Sequence, residues 1–461
     1  MKTTTIKQII CAFSLSLLLA AFSCEKWIET DFPNNQLPTE LVFEDEQTAE
    51  AALAGLYSSL WSNSLLSGGV EGFGLLGGLY TDDISTVYTP GINGVSDIYY
   101  NAQIPNNSVV TNVWTNAYQQ IYASNSIIEG VRNSKSLSQK TKDRITGEAL
   151  FVRSMLYFYL QQIYGEVPYT DTTDYTINSQ LARMPENEFM TRIETDMSEA
   201  ANLLQESYRN SERIYPNRYA ALLILAKIKM LLNKNVEAEV LLQSIIQSPL
   251  YSFQNDITKV FQKAGTHILW QLKPGNANEA TKEAVLYNFT AAPLSFMVNM
   301  NLVNQFSIND LRKQQYITAV PFQTQTNYKI SKYRNLAANN PNEYSVIMRL
   351  EEAQFLLAEV LIQQGKVSEA IPLINKTRLR AGLSMVPVSL TASAAMDELR
   401  IEKRKELFSE QGIRFFDLKR WGLLNQLTGV KPNWKPFHAR WPVPNKELLI
   451  NPKLKPQNEG Y

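Results

Sequence analysis

Apolar residues recur every three to four positions along most of this chain, the period of amphipathic helices. The first such stretch predicts a helix over about 46–62, with Ala49, Leu53, Leu56 and Leu60 on one face. Further helices are expected at about 111–133, 139–164, 186–207, 216–233 and 235–247, and again at 346–364, 367–380 and 394–410. Residues 148–159 carry the most apolar face and are expected to form the central core. Within the last long helix, Leu399, Ile401, Leu407 and Phe408 make an apolar side beside many charges. Gly412 is placed to end it, and a short helix follows over 415–422. Pro185 and Pro216 fall at or next to helix starts, where proline is tolerated.

Two stretches break this period. From about 63 to 110 the chain is rich in Gly and Asn and carries Tyr80, Tyr88, Tyr99, Tyr100 and the acidic pair Asp82-Asp83. It reads as loop, and a loop of that length is usually functional. From about 248 to 344 regularity is lost again, with strands expected at 266–272 and 327–333 from their alternation. The sequence of 226–242 can be laid on that of 358–374 at a constant offset of 132, each reading as helix, short turn, helix. Tetratricopeptide units read this way.

The first residues carry a different pattern. Lys2 and Lys7 precede a mostly apolar run over 9–22, too short for a comfortable membrane span. It ends in Ala21-Phe22-Ser23-Cys24, which resembles a bacterial lipoprotein cleavage box. Residues 1–23 are therefore expected to be a signal peptide, 24–45 a lipidated tether and lead-in, and 46–461 a single domain with ligand-loop insertions at about 63–110 and 248–344. Of the two cysteines, cleavage would discard Cys11 and acylate Cys24, leaving no thiol for a disulfide or metal site. Acylation anchors a protein to a membrane without spanning it.

Composition removes several function classes. Lys+Arg and Asp+Glu number 44 each, so the basic stripe of a nucleic-acid binder has no compositional support. The only histidines are His267, which falls in an expected strand and reads as structural, and His438. Neither belongs to an H-E-x-x-H motif, and there is no G-x-S-x-G elbow and no phosphate loop. No enzyme activity, cofactor or metal is expected; the spacing of Asp82-Asp83 is no EF-hand. A binding role suits the irregular stretches, because sugars offer CH-rich faces to aromatic rings and hydroxyls to Asn, Asp and Gln. The candidate ligand-binding residues are Tyr80, Asp82, Asp83, Tyr88, Tyr99 and Tyr100 from the first stretch, and Tyr287 and Phe289 from the second. Trp114, Trp421 and Trp441 are assigned to the core.

A set of ordered motifs carries a family resemblance. Glu402–Arg404–Glu406-Leu407, Gly412–Arg414, Phe416-Asp417-Leu418–Arg420-Trp421-Gly422, Pro442-Val443-Pro444 and the closing Gln457-Asn458-Glu459-Gly460-Tyr461 resemble the C-terminal half of the SusD/RagB family. Asn309-Asp310-Leu311-Arg312, Lys332-Tyr333 and the run over 373–383 extend the resemblance. Ser409-Glu410-Gln411-Gly412 departs from it, since the family usually has an aromatic residue and Glu directly before Gly. The resemblance implies a mainly α fold of tetratricopeptide-like hairpins with long irregular loops and a few short strands. It implies a cell-surface, lipid-anchored outer-membrane protein whose loop face captures an oligosaccharide. The helical body would sit as a lid on a SusC-like TonB-dependent transporter. Peptide capture, as in the RagB branch, and a tetratricopeptide adaptor are the alternatives.

Overall fold

The computed structural model describes residues 39–290, 295–336 and 340–461, so the expected signal peptide and Cys24 lie outside the described residues. The long helices form where the apolar period is strongest: α1 (Glu46–Ser62), α3 (Ser108–Asn133), α4 (Gln139–Tyr164), α5 (Glu186–Leu203), α6 (Arg218–Leu231) and α7 (Asn235–Gln247). Between α1 and α3 lies the shorter α2 (Phe73–Tyr80). The C-terminal set is α8 (Leu350–Gln363), α9 (Val367–Arg380), α10 (Ala392–Leu407) and α11 (Ile413–Arg420). Local chemistry sets several starts: the side chains of Asp45, Asn107, Ser138, Asn217 and Thr391 each accept a hydrogen bond from a first-turn backbone N–H. From α3 onward each long helix packs on the next in chain order, α7 joining α8 across the intervening irregular stretch. Within this stack the residues of α4 from Ile145 to Tyr164 are buried throughout.

The hairpin α6–α7 repeats as α8–α9 in the register of the sequence similarity. In both, a residue in the left-handed conformation closes the first helix, Asn233 (φ 58°) in one and Gly365 (φ 79°) in the other. The lysine that follows reaches back to a glutamate of the preceding helix in the stack. Lys234 Nζ lies 2.7 Å from Glu194 Oε2, and Lys366 Nζ lies 2.8 Å from Glu239 Oε2. The scaffold is mainly α and built of tetratricopeptide-like hairpins.

Among the described residues six short strands make three antiparallel pairs: β1 (Ile84–Thr86) with β3 (Phe296–Val298), β2 (Ile268–Leu272) with β6 (Ser345–Arg349), and the hairpin of β4 (Ile317–Phe322) and β5 (Gln325–Ile330). Strand β6 takes the residues expected to open a helix at 346. All five of its residues are buried against β2 before α8 begins at Leu350.

Helix α10 differs most from its expected packing. Leu399, Leu407 and Phe408 are buried as expected, but Ile401 is 42% exposed and the charged run from Glu402 to Glu406 is buried instead. Buried charges must be paired to be tolerated. Glu402 pairs with Arg312 at 2.8 Å and accepts from Arg378 at 2.9 Å, and Glu406 accepts from Arg349 at 2.7 Å and Arg380 at 2.6 Å. Lys403 reaches Asp417 at 2.7 Å, and Arg349 also reaches Glu410 at 2.7 Å. The helix stops at Leu407, earlier than the expected 410, because Ser409, Gln411 and Gly412 all take positive φ.

Candidate ligand-binding face

The first irregular stretch is less open than its composition suggests. Its apolar run Phe73-Gly-Leu-Leu-Gly-Gly-Leu-Tyr80 forms the buried helix α2, a correction to the loop expected there. Glycine permits this helix to lie against the 409–412 turn: a Cβ on Gly77 would stand 2.8 Å from Gly412 Cα, and one on Gly74 2.9 Å from the Ser409 carbonyl oxygen.

Tyr80 therefore ends in the core, fully buried, and is corrected from ligand residue to anchor. Its hydroxyl donates to the His438 carbonyl at 2.9 Å and accepts from Gln103 Nε2 at 2.7 Å. Phe415, Trp434 and Trp441 pack edge-on around its ring. Asp82 and Asp83 are likewise buried and engaged. Arg404 bridges them, with Nη2 2.9 Å from Asp82 Oδ2 and Nε 2.9 Å from Asp83 Oδ1; Arg414 Nε lies 3.0 Å from Asp82 Oδ1. Burial opposes ionisation of both carboxyls. At Asp82 the two guanidinium groups outweigh it and the pKa falls below the ordinary carboxylate value. At Asp83 burial and the neighbouring Asp82 charge prevail over Arg404, and the pKa rises. The pair is a foundation beneath the loop, not part of its surface. Tyr287 and Phe289 are also buried, 4% and 5% exposed, and line the underside of the second stretch.

Tyr88, Tyr99 and Tyr100 are half-buried, with edges open to solvent. Strand pairing sets their surroundings. The register Ile84↔Val298 and Thr86↔Phe296 joins the first irregular stretch to the second, and β3 packs in turn beside β5. Tyr88 lies over this junction, its hydroxyl 3.0 Å from Ser295 Oγ and its ring edge-on to Phe296. Tyr99 and Tyr100 are held at the other side by the C-terminal segment. Lys431 Nζ sits 3.7 Å from the centroid of the Tyr99 ring and donates to the carbonyls of Leu79 (2.6 Å) and Tyr99 (2.7 Å). Asn433 donates to the Tyr100 carbonyl at 2.9 Å. Burial pushes the Lys431 amine down to about 7, against the pull of Asp82.

Neither histidine is poised for chemistry on this face. His267 is buried with Nε2 2.9 Å from the Val260 carbonyl, and His438 Nδ1 accepts from the Lys435 backbone N–H. Among the described residues no cluster of side chains is arranged to hold a metal ion, and no helix is long and apolar enough to cross a membrane. Arg404, Arg414, Lys431 and Asn433, which hold the face from beneath, carried no sequence signal for that task. Arg404 and Arg414 stood out only within the family motifs.

A stack of helical hairpins carrying an irregular, aromatic loop face on buried ion pairs defines a repeat-scaffold binding protein. The chain belongs to the SusD/RagB family. The SusD family model matches residues 274–461, and a SusD-like model described as starch-binding and associating with the outer membrane matches residues 79–230. A SusD-like protein from Formosa agariphila is 24% identical, with 96% of this chain and 98% of the relative covered. Among solved structures, a laminarin-binding SusD-like protein superposes with a TM-score of 0.77 at 20% identity, covering 91% of this chain and all of the other. Surface glycan-binding protein A from Bacteroides thetaiotaomicron, in complex with laminarihexaose, gives a TM-score of 0.75 at 18% identity, with 89% of this chain and 99% of the other covered. SusD-like proteins are binding proteins, and their fold is the fold of this chain.

Proposed function

We propose that this protein is a cell-surface lipoprotein that captures oligosaccharides on its loop face and delivers them to a SusC-like TonB-dependent transporter. The observation that carries the reading is the β1–β3 junction, which makes one face from two stretches far apart in sequence. Tyr88, Tyr99 and Tyr100 are the half-buried candidates on this face, and a pyranose stacks on tyrosine rings through its CH-rich face. Tyr80, Asp82, Asp83, Tyr287 and Phe289 support it from below. The printed ligands of two structural neighbours, laminarin and laminarihexaose, name the first oligosaccharide to test. Acylation of Cys24 after loss of residues 1–23 would tether residues 46–461, as a single domain, to the outer membrane.

Calorimetry of residues 25–461 against laminarihexaose, other oligosaccharides and short peptides tests the reading. Saturable binding to one glycan is expected, weakened about tenfold or more by Tyr88→Ala, Tyr99→Ala or Tyr100→Ala. Binding to peptides at this face with none to glycans replaces oligosaccharide capture by peptide capture. Palmitate labelling that persists in Cys24→Ala would remove the anchor from the proposal. Failure to co-purify with any β-barrel partner from detergent-solubilised membranes would remove the delivery step.

A further inference from the structure

A groove of about 480 Å³ runs along the flank of α3, lined by none of the three tyrosines of the loop face. Its helical wall is aromatic. Trp114, Tyr118 and Tyr122 follow one another at four-residue intervals, which puts all three on one side of α3. Successive positions of that stripe are about 6 Å apart along the helix axis, close to the step from one pyranose to the next in a glycan. Exposure rises along the stripe, from Trp114 at 3% through half-buried Tyr118 to Tyr122 at 54%. The platform is held in place before any ligand arrives. The Tyr118 hydroxyl donates to the Pro168 carbonyl at 2.7 Å, and the Trp114 ring packs on Tyr118 and Tyr164 with each centroid 5.0 Å away. Ile450 and Leu454, near the C-terminus, contribute to the opposite wall.

We infer that this groove is a second oligosaccharide-binding site, separate from the loop face, an inference that rests on the reading of the cargo as a glycan. Two observations select a saccharide. The first is the aromatic stripe, whose spacing suits consecutive pyranose units, each presenting a CH-rich face. The second is a set of polar groups along that stripe which the protein itself leaves unused. Trp114 is buried, yet its indole N–H has no hydrogen-bond partner among the described residues. The Trp270 and Trp421 N–H groups, by contrast, donate to the Ile214 carbonyl and to Glu359. The Thr115 hydroxyl, the Gln119 amide and the Tyr122 hydroxyl also lack a partner among the described residues. The other polar lining is committed inside the protein, Thr170 Oγ1 donating to Asn178 and Asn451 Nδ2 to the Leu181 carbonyl. Donors and acceptors that remain free beside aromatic rings match a rim of sugar hydroxyls, whereas a purely apolar ligand would leave them unpaired.

Calorimetry of residues 25–461 with laminarihexaose, maltohexaose and cellohexaose tests the inference, beside a variant carrying Tyr88→Ala, Tyr99→Ala and Tyr100→Ala together. At least one of the three sugars should occupy two sites on the parent protein, and the loop-face variant should keep one of them. Tyr122→Ala or Gln119→Ala added to that variant should weaken the remaining site, Tyr122→Ala by about tenfold or more. In the parent chain Tyr122→Ala alone should bring two sites down to one, which frees the test from how the loop-face variant folds. Neither Gln119 nor Tyr122 has a hydrogen-bond partner to lose, so both changes should leave the melting temperature where it was. A single site that the loop-face variant abolishes would overturn the inference and leave capture on the loop face standing. A single site that the loop-face variant keeps and Tyr122→Ala weakens would support the groove and remove the loop face. A remaining site indifferent to both Tyr122→Ala and Gln119→Ala would overturn the inference, as would no binding of any of the three sugars to the parent protein.

Discussion

Single side chains decide whether the loop face has a floor. Asp83 is 1% exposed and depends on Arg404, whereas Asp82 also has Arg414. Arg404→Ala leaves a buried carboxyl without its partner and should cost about 3–5 kcal/mol in urea unfolding. Asp83→Asn in the same background should recover part of that loss. Glu283 supplies a pH dependence of known sign. It lies buried against Gly68, accepts from the Ser345 hydroxyl at 2.7 Å, and burial raises its pKa to about 7. A carboxyl whose folded pKa is raised binds more protons folded than unfolded, so its stabilisation is complete below about 4.5 and declines as pH rises through 7. Glu283→Gln should flatten the fall in melting temperature between pH 5 and 8, a difference on the order of 3 kcal/mol. The sequence placed Tyr80, Asp82 and Asp83 in the right neighbourhood but on the wrong side of it. An aromatic residue followed by two acids reads as surface until Arg404 and Arg414, more than three hundred residues later, are known to lie opposite.

At the scale of elements, the long helices were legible because burial on one face leaves a period that no partner is needed to read. The repeat was legible for the same reason, and its turns extend the match to backbone conformation. Asn233 and Gly365 occupy equivalent left-handed positions, which only glycine adopts without strain. Asn233→Gly should therefore stabilise α6–α7 by a few tenths to about 1 kcal/mol, and Gly365→Ala should destabilise α8–α9 by about 1 kcal/mol. Thermal unfolding of both variants checks the pair, and equal signs would argue against equivalence of the two hairpins. Helix α2 was missed because three glycines in eight residues argue against a helix. Here glycine is what lets the helix press against the 409–412 turn. Taken as an isolated helix, α10 would turn its charged run to water. Its burial is possible because partners arrive from several elements: Arg312, Arg349, Arg378 and Arg380 meet Glu402 and Glu406, Asp417 of α11 meets Lys403, and Asp82 and Asp83 meet Arg404.

For the whole molecule, the hairpin stack is assembled from neighbours in sequence, while the loop face is closed by residues from the far end. Removing residues 436–461 takes away the His438 carbonyl that receives the Tyr80 hydroxyl, together with Trp441 and Tyr461 packed around it. Such a truncated chain should keep most of its helical circular dichroism but be cut by protease between about 81 and 104, where the full chain resists. The same closure sets an order in time. Helices α3 to α7 can find their partners as the chain emerges, but Leu79, Tyr99 and Tyr100 must wait for Lys431 and Asn433, made more than three hundred residues later. A ribosome thus completes the hairpin stack long before the loop face can close, so a copy terminated ahead of residue 431 would have the frame without the hand.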